Sequence, residues 1–342
     1  MIRKLSITLI LLLFVVLSVS SKQRAILIGI GEYPVNSGWH KISSENDVAL
    51  LKQVMGKDYI ITSLENQSAT KSGIIRTLDK LISESQPHDT VFIHFSCHGQ
   101  QVLTDKKDEP DHLDEALIPY DAQAKENPSY HGEKHLLDDE FGELITKLRK
   151  KIGPSGLVII TLDACYSDSM DKGNTHTNKT IYRGGAGIFG KESITNDSLA
   201  ILEKSRANID TIGVIKIAGA SDIVIISACK SYQKNMEIVE GGKGYGSLSF
   251  AIYEAFCKGT SPKTDISGWV SSICAVMKER AYIQDPQIRS TIEGLLSKRD
   301  GGEELPPNES DSNTIATIPF MSLIIICLSL IVILVIWKKR KP

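Results

Sequence analysis

A histidine and a cysteine that each follow a short run of strand-forming residues are the clearest chemical feature of this sequence. His98 comes after the run at 90–95, and Cys165 comes after the run at 157–162. Two parallel strands would bring both side chains to one edge of a sheet, and open α/β sheets bind ligands outside the carboxyl ends of their strands. A thiol beside an imidazole can be held as thiolate and imidazolium, and the thiolate is the competent nucleophile. The pair therefore predicts a cysteine hydrolase.

The neighbours of the pair favour this interpretation over a packing role. Free cysteine is among the most buried residue types, so either residue alone would more often be structural. His98 is followed by Gly99, however, and glycine allows the backbone to approach a substrate closely. Asp163 lies two positions before Cys165 in a small, polar segment at the strand end. It is the combination that predicts catalysis.

The elements that must position this pair alternate between strand and helix, which predicts a mostly parallel open sheet with helices on both faces. The sequence predicts strands near 24–30, 58–64, 90–95, 157–162 and 222–227. It predicts helices near 45–55, 70–84, 138–151, 247–258 and 268–281. Residues from about 170 to 220 break this alternation and predict a long loop.

Several blocks of the sequence resemble the caspase-like peptidases, and within them the metacaspases and their bacterial relatives. The matching blocks, in the family's order, are the first strand at 24–30, Glu45-Asn46-Asp47-Val48, His98-Gly99, residues 114–121, residues 138–140, Asp163-Ala164-Cys165, the strand at 225–229 and the closing segment at 284–288. The resemblance implies a caspase-like catalytic domain at 22–296. Within it we expect a large-subunit-like part at 22–170, a linker at 171–220 and a small-subunit-like part at 221–290.

The same resemblance implies a mechanism that requires no cofactor. The Cys165 thiolate would attack a peptide carbonyl and form a thioester, while His98 would protonate the leaving amine and then activate water. Backbone N–H groups of Gly99 and Cys165 would stabilise the oxyanion. The chain is thus expected to be a cysteine endopeptidase with a Cys-His dyad.

Three polar residues match positions that line the primary specificity pocket of metacaspases: Asp163, Asp47 and Ser96. Asp163 stands where animal caspases carry the glutamine of their Gln-Ala-Cys signature. An acidic residue there predicts protein or peptide substrates with Arg or Lys before the scissile bond, since a carboxylate pair selects a charged head group. The alternatives are that Asp47 caps the helix starting near Asn46 and that Asp163 accepts backbone hydrogen bonds in a turn.

A second acidic group resembles a calcium site. Asp114, Asp138 and Asp139 match family positions that bind calcium, an ion that takes six to eight oxygen ligands. Further acidic residues nearby are Asp105, Asp108, Glu109 and Asp111. The alternative is a solvated, charged loop.

The linker is, by resemblance, the region in which caspase-like enzymes are often cleaved. Its basic residues are candidate sites for self-processing: Lys172, Lys179, Arg183, Lys191 and Arg206.

Both ends of the chain carry membrane-targeting patterns. Residues 1–20 combine two early basic residues, an apolar run and a small-residue end, which predicts a secretory signal peptide. Residues 315–337 are long and apolar enough to span a bilayer, and the basic tail at 338–342 should stay in the cytoplasm. With a polar stalk at 297–314, the sequence predicts a single-pass type I protein whose catalytic domain is extracytoplasmic.

Composition excludes some function classes and leaves others open. The chain has 342 residues, 42% hydrophobic content and a formal net charge of −2, which fits one sizeable domain and offers no basic surface for nucleic acid. Six cysteines in a chain of this length do not indicate a disulfide framework. Two rival interpretations remain: a legumain-like or transamidase-like hydrolase, and a non-catalytic scaffold with the same fold.

Overall fold

The computed structural model describes residues 21–104, 112–166, 181–184, 187–190, 216–230 and 233–295. Its centre is a six-stranded sheet formed by β1 (Gln23–Gly29), β2 (Ile60–Glu65), β3 (Thr90–Ser96), β7 (Leu157–Asp163), β8 (Asp222–Ser227) and β11 (Gln287–Ser290). The strand order is β11-β8-β7-β3-β1-β2. All neighbouring pairs are parallel except β11 with β8, which are antiparallel. The mostly parallel sheet is confirmed.

Helices cover both faces of this sheet, as predicted. In the described ranges they are α1 (Ser44–Met55), α2 (Lys71–Glu84), α3 (Asp138–Ile152), α4 (Ser247–Cys257) and α5 (Ile266–Arg280). Apolar residues of α2 and α3 pack on one face and those of α1, α4 and α5 on the other. Strands that are buried on both faces consist of continuous Val/Ile/Leu runs, and these runs made the strands predictable from the sequence. The predicted elements agree with the observed ones to within two residues at each end.

Two smaller sheets were not predicted. One contains β4 (Gly99–Leu103), β5 (Leu113–Leu117) and β6 (Leu136–Leu137), and the other is a hairpin of β9 (Glu237–Glu240) and β10 (Lys243–Gly246). The hairpin turns at Gly241 and Gly242, which have φ values of 58° and 78°. Two adjacent glycines with positive φ are typical of a tight hairpin turn, so this signal was present in the sequence.

The strand register places the ends of β3 and β7 side by side. Ser96 pairs with Asp163, and Gly29 of β1 pairs with Ser96. His98 and Cys165 each lie two residues beyond these paired ends. The carboxyl edge of the sheet is therefore where the candidate site forms.

The membrane-targeting segments lie outside the described residues. These are the signal peptide at 1–20, the stalk at 297–314, the span at 315–337 and the tail. Among the helices of the described ranges, none combines the length and apolarity that crossing a bilayer requires.

Candidate active site

His98 is held in one orientation by its surroundings. Its Nε2 lies 2.8 Å from the carbonyl oxygen of His40 and donates to it, which leaves Nδ1 as the lone-pair nitrogen. Nδ1 has no hydrogen-bond partner among the described residues. The ring stacks on Trp39 with ring centres 4.9 Å apart. Burial, together with the neighbouring His40, lowers the pKa of His98 to about 3, so the imidazole is a neutral base in this state.

Cys165 lies against two glycines, Gly99 and Gly184. A Cβ added to Gly99 would come within 2.8 Å of the Cys165 carbonyl oxygen, and one added to Gly184 would clash with the same oxygen. The close backbone approach at both positions therefore requires glycine. Gly99, the residue that follows His98, thus packs against the backbone of Cys165.

Two further thiols lie in this region. The Sγ atoms of Cys165 and Cys229 both donate to the carbonyl oxygen of Gln233, at 3.1 and 3.4 Å. Cys97 is fully buried after β3. In the part of the chain that the structure describes, none of the three forms a disulfide bond.

Four polar side chains from distant parts of the chain form a buried cluster, which we call the acidic pocket. Its members are Asp47, Ser96, Asp163 and Glu237. Ser96 Oγ donates to Asp47 Oδ2 at 2.7 Å. The structure therefore brings together the three residues predicted for a specificity pocket and adds Glu237, which the sequence analysis missed.

The capping alternative for Asp47 is wrong, because the N-cap of α1 is Ser43. Asp47 lies in the first turn of α1 and directs Oδ1 toward the backbone N–H of Gly246, at 2.9 Å. The backbone alternative for Asp163 is correct in part. Asp163 accepts the backbone N–H and the hydroxyl of Ser249, at 2.7 and 2.6 Å.

The acidic pocket contains a side chain of the protein's own linker. The Arg183 guanidinium is fully buried there. Its Nη2 donates to Asp47 Oδ2 at 2.7 Å and to Glu237 Oε1 at 2.9 Å. Its Nη1 donates to Ser96 Oγ at 2.5 Å and lies 3.9 Å from Asp163 Oδ1. One cation thus sits among three carboxylates.

The pKa shifts in the pocket follow from burial and from this cation. Burial raises the pKa of Asp47 to about 6, although Arg183 opposes the shift. Burial alone would raise the pKa of Asp163 as well, but Arg183 and the hydrogen bonds from Asn235 and Ser249 hold it below its ordinary value. Burial disfavours the Arg183 charge, yet the three carboxylates outweigh it and raise its pKa. Arg183 is therefore a permanent cation.

The linker segment around Arg183 lies along the site in an extended form. Arg183 N donates to Asn235 O at 2.9 Å, and Glu237 N donates to Ile181 O at 2.8 Å. These bonds make an antiparallel bridge between Tyr182 and Met236. Addition of an extended strand to a sheet edge is a common way for a domain to bind a peptide.

The predicted calcium residues are not assembled into a recognisable site. Asp114 is buried on β5, whereas Asp138 and Asp139 begin α3. In the part of the chain that the structure describes, no group of three or more His, Cys, Asp or Glu side chains is arranged to hold a metal ion. The acidic residues from Asp105 to Asp111 lie outside the described ranges.

The caspase domain family matches residues 22–296. This chain belongs to that family. It is 24% identical over 300 residues to metacaspase-1 of Emericella nidulans. This match covers 80% of this chain and 71% of the relative. It is 27% identical over 247 residues to metacaspase-1 of Saccharomyces cerevisiae. This match covers 65% of this chain and 53% of the relative.

Among solved structures, the caspase-domain chain is similar to protein GSU0716 from Geobacter sulfurreducens. The TM-score is 0.53 with 18% identity, and the match covers 79% of this chain and 93% of that chain. This likeness concerns the fold alone. The family match and the metacaspase relatives make this protein a metacaspase-like cysteine peptidase, and thus a hydrolase.

Several residues that support the site of this caspase-domain peptidase were not found from the sequence. Asn235 donates to Asp163 at 2.7 Å, and His94 Nε2 lies 3.1 Å from the hydroxyl of Ser249. Burial lowers the pKa of His94 to about 4, so it is neutral. No local pattern marks these residues, because each is polar in an otherwise apolar segment and gains its role only from the fold.

Proposed function

We propose that this peptidase cleaves after arginine, and less well after lysine, through a Cys165-His98 dyad, and that one of its substrates is its own Arg183–Gly184 bond. The observation that carries the proposal is the position of Arg183. Its guanidinium fills the acidic pocket while the next residue, Gly184, lies against Cys165. A substrate with arginine before the scissile bond would take the same path.

The chemistry of the pocket supports a cationic side chain. Buried carboxylates stabilise a cation and penalise an anion or a neutral amide, and charge-assisted hydrogen bonds are the strong ones. The planar guanidinium satisfies several acceptors at once. An aspartate before the scissile bond would instead meet three like charges.

The orientation of His98 supports the dyad. Because Nε2 donates to His40 O, Nδ1 carries the lone pair that would take the thiol proton of Cys165 once this thiol leaves its hydrogen bond to Gln233 O. The thiolate attacks the carbonyl of the residue held in the pocket, and the same imidazole returns the proton to the leaving amine. Water then hydrolyses the thioester, which releases the acyl product and restores the Cys165 thiol. Gly99 and Cys165 N–H groups remain the proposed oxyanion donors.

We expect the purified full-length protein to cut itself between Arg183 and Gly184. The new amino terminus should read Gly184-Gly185-Ala186, and intact-mass measurement of the fragments should identify it. Arg183→Lys should be cut more slowly because the ammonium lacks the guanidinium fork. Arg183→Gln should abolish this cut, and loss of the cation that lies among three buried carboxylates should destabilise the uncut chain by about 3–5 kcal/mol.

Matched controls are the other basic residues of the linker. Lys191→Gln and Arg206→Gln should leave cleavage at Arg183 unchanged. A chain that is cut elsewhere, or that cleaves arginine peptides while its Arg183–Gly184 bond stays intact, would contradict the self-processing part of the proposal.

The assay is run with calcium and with a chelator, since calcium activation through Asp114, Asp138 and Asp139 also stays a prediction. Equal cleavage rates with calcium and with the chelator would contradict calcium activation.

Two rival functions remain alternatives. A legumain-like or transamidase-like enzyme would select a neutral amide, and the acidic pocket disfavours that side chain. A scaffold without activity would not need a buried imidazole with an open nitrogen at this edge of the sheet. The pocket and the orientation of His98 therefore favour a peptidase directed at basic residues.

The proposed location is extracytoplasmic, with a signal peptide at 1–20 and a type I span at 315–337. Protease added to intact cells, or to spheroplasts if an outer membrane intervenes, should then degrade the domain. A domain that stays protected while an extracytoplasmic marker is degraded would reverse the topology.

A further inference from the structure

Glu237 contacts both the side chain and the backbone of the linker segment that fills the acidic pocket. Its Oε1 accepts from Arg183 Nη2 at 2.9 Å, and its backbone N–H donates to Ile181 O at 2.8 Å. The carboxylate is itself positioned by Ser43, whose backbone N–H and hydroxyl donate to it at 2.6 and 2.8 Å. Glu237 is therefore a fixed acceptor on β9.

The hydrogens of the guanidinium are divided among the pocket walls in a way that only arginine can match. The two Nη2 hydrogens go to Asp47 and Glu237, at 2.7 and 2.9 Å. The Nη1 hydrogens go to Ser96 Oγ and to the Asp163 carbonyl oxygen, at 2.5 and 3.5 Å. A lysine ammonium carries three donors on one nitrogen, whereas arginine spreads its donors over a planar fork. Lysine therefore has one donor too few for these four acceptors.

We propose that Glu237 is a specificity-determining residue that makes the enzyme prefer arginine over lysine before the scissile bond. The inference rests on the proposed function, because it takes Arg183 as a guide to a substrate side chain. Asp47 and Asp163 supply negative charge from the large-subunit-like half. Glu237 adds one more acceptor at Nη2, the nitrogen that also donates to Asp47, and so brings the number of acceptors above the three donors of an ammonium.

The test compares two peptides that differ only in arginine or lysine, supplied together as competing substrates. Their ratio of kcat/KM does not depend on how much of the enzyme is active or still occupied by its linker. Glu237→Asp keeps the charge but withdraws the carboxylate by one methylene, and Glu237→Gln keeps the shape but removes the charge. We expect the arginine-to-lysine ratio to fall about tenfold in both variants, since a hydrogen bond to a charged group is lost.

Glu240→Gln is the matched control, because it removes a carboxylate that lies on the same strand but pairs with Arg280 outside the pocket. Its ratio should stay at the wild-type value. A ratio unchanged in both Glu237 variants, or arginine and lysine rates that fall equally, would assign Glu237 a structural role only. A wild-type ratio near one would overturn the inference and leave the proposed function intact. Wild-type enzyme that cleaves neither peptide would instead overturn the proposed function.

Discussion

Replacing Cys165 with alanine should abolish peptide cleavage and leave the Arg183–Gly184 bond uncut. The nucleophile forms the thioester, so its loss removes the chemical step, and kcat should fall by about 10³-fold or more. His98→Ala removes the proton transfers and should cost about 10² to 10⁴-fold. Both effects are measured as kcat with an arginine peptide, with folding checked by thermal denaturation.

The two neighbouring thiols are the matched controls for this assignment. Burial raises the pKa of Cys97 to about 12. The hydrogen bond with Cys165, followed by burial, raises the pKa of Cys229 well above its usual value. Because the thiolate is the nucleophile, both thiols should be inert. Cys97→Ala and Cys229→Ala should therefore keep activity. An inactive but folded Cys229→Ala beside an active Cys165→Ala would reassign the nucleophile.

Replacing Asp163 with asparagine should depress kcat/KM for Arg and Lys peptides more than a hundredfold. Removing one charge of a desolvated ion pair costs about 3–5 kcal/mol. The same change should barely affect alkylation of Cys165 by a small uncharged reagent, because that reaction does not use the pocket. The ratio of the two effects is the measurement, and equal losses would indicate a damaged site rather than lost specificity.

Asp47→Asn is a second variant, which distinguishes the loss of substrate binding from the loss of the structural hydrogen bonds that Asp163 makes. Asp163 also holds Ser249 and Asn235, so its replacement disturbs the protein beneath the pocket. Asp47 faces the guanidinium at 2.7 Å and is the shorter contact. We expect a loss of similar size in Asp47→Asn. A peptide panel completes the test: cleavage after Asn would favour a legumain-like enzyme, cleavage after Asp an animal-caspase-like pocket, and no cleavage a scaffold.

The sequence by itself determined the fold class and placed His98 and Cys165 at one edge of the sheet. Strands buried on both faces must be apolar along their whole length, and the polar residues that follow them mark the carboxyl edge of the sheet. His98 and Cys165 follow two such strands, and those strands are neighbours in the sheet. Local patterns were therefore sufficient, because strand order and register translate directly into proximity at that edge.

Only the tertiary structure showed that Arg183 occupies the acidic pocket and that Glu237 is one of the residues that accept its hydrogen bonds. Arg183 was one of five candidate cleavage sites in the linker, and nothing local separated it from the others. Glu237 read as one more polar residue before a glycine turn. Their partners lie far away in sequence, with Asp47 136 positions from Arg183 and Glu237 54 positions from it. A buried charge is stable only where opposite charges and hydrogen-bond partners converge, and chain folding alone sets that convergence.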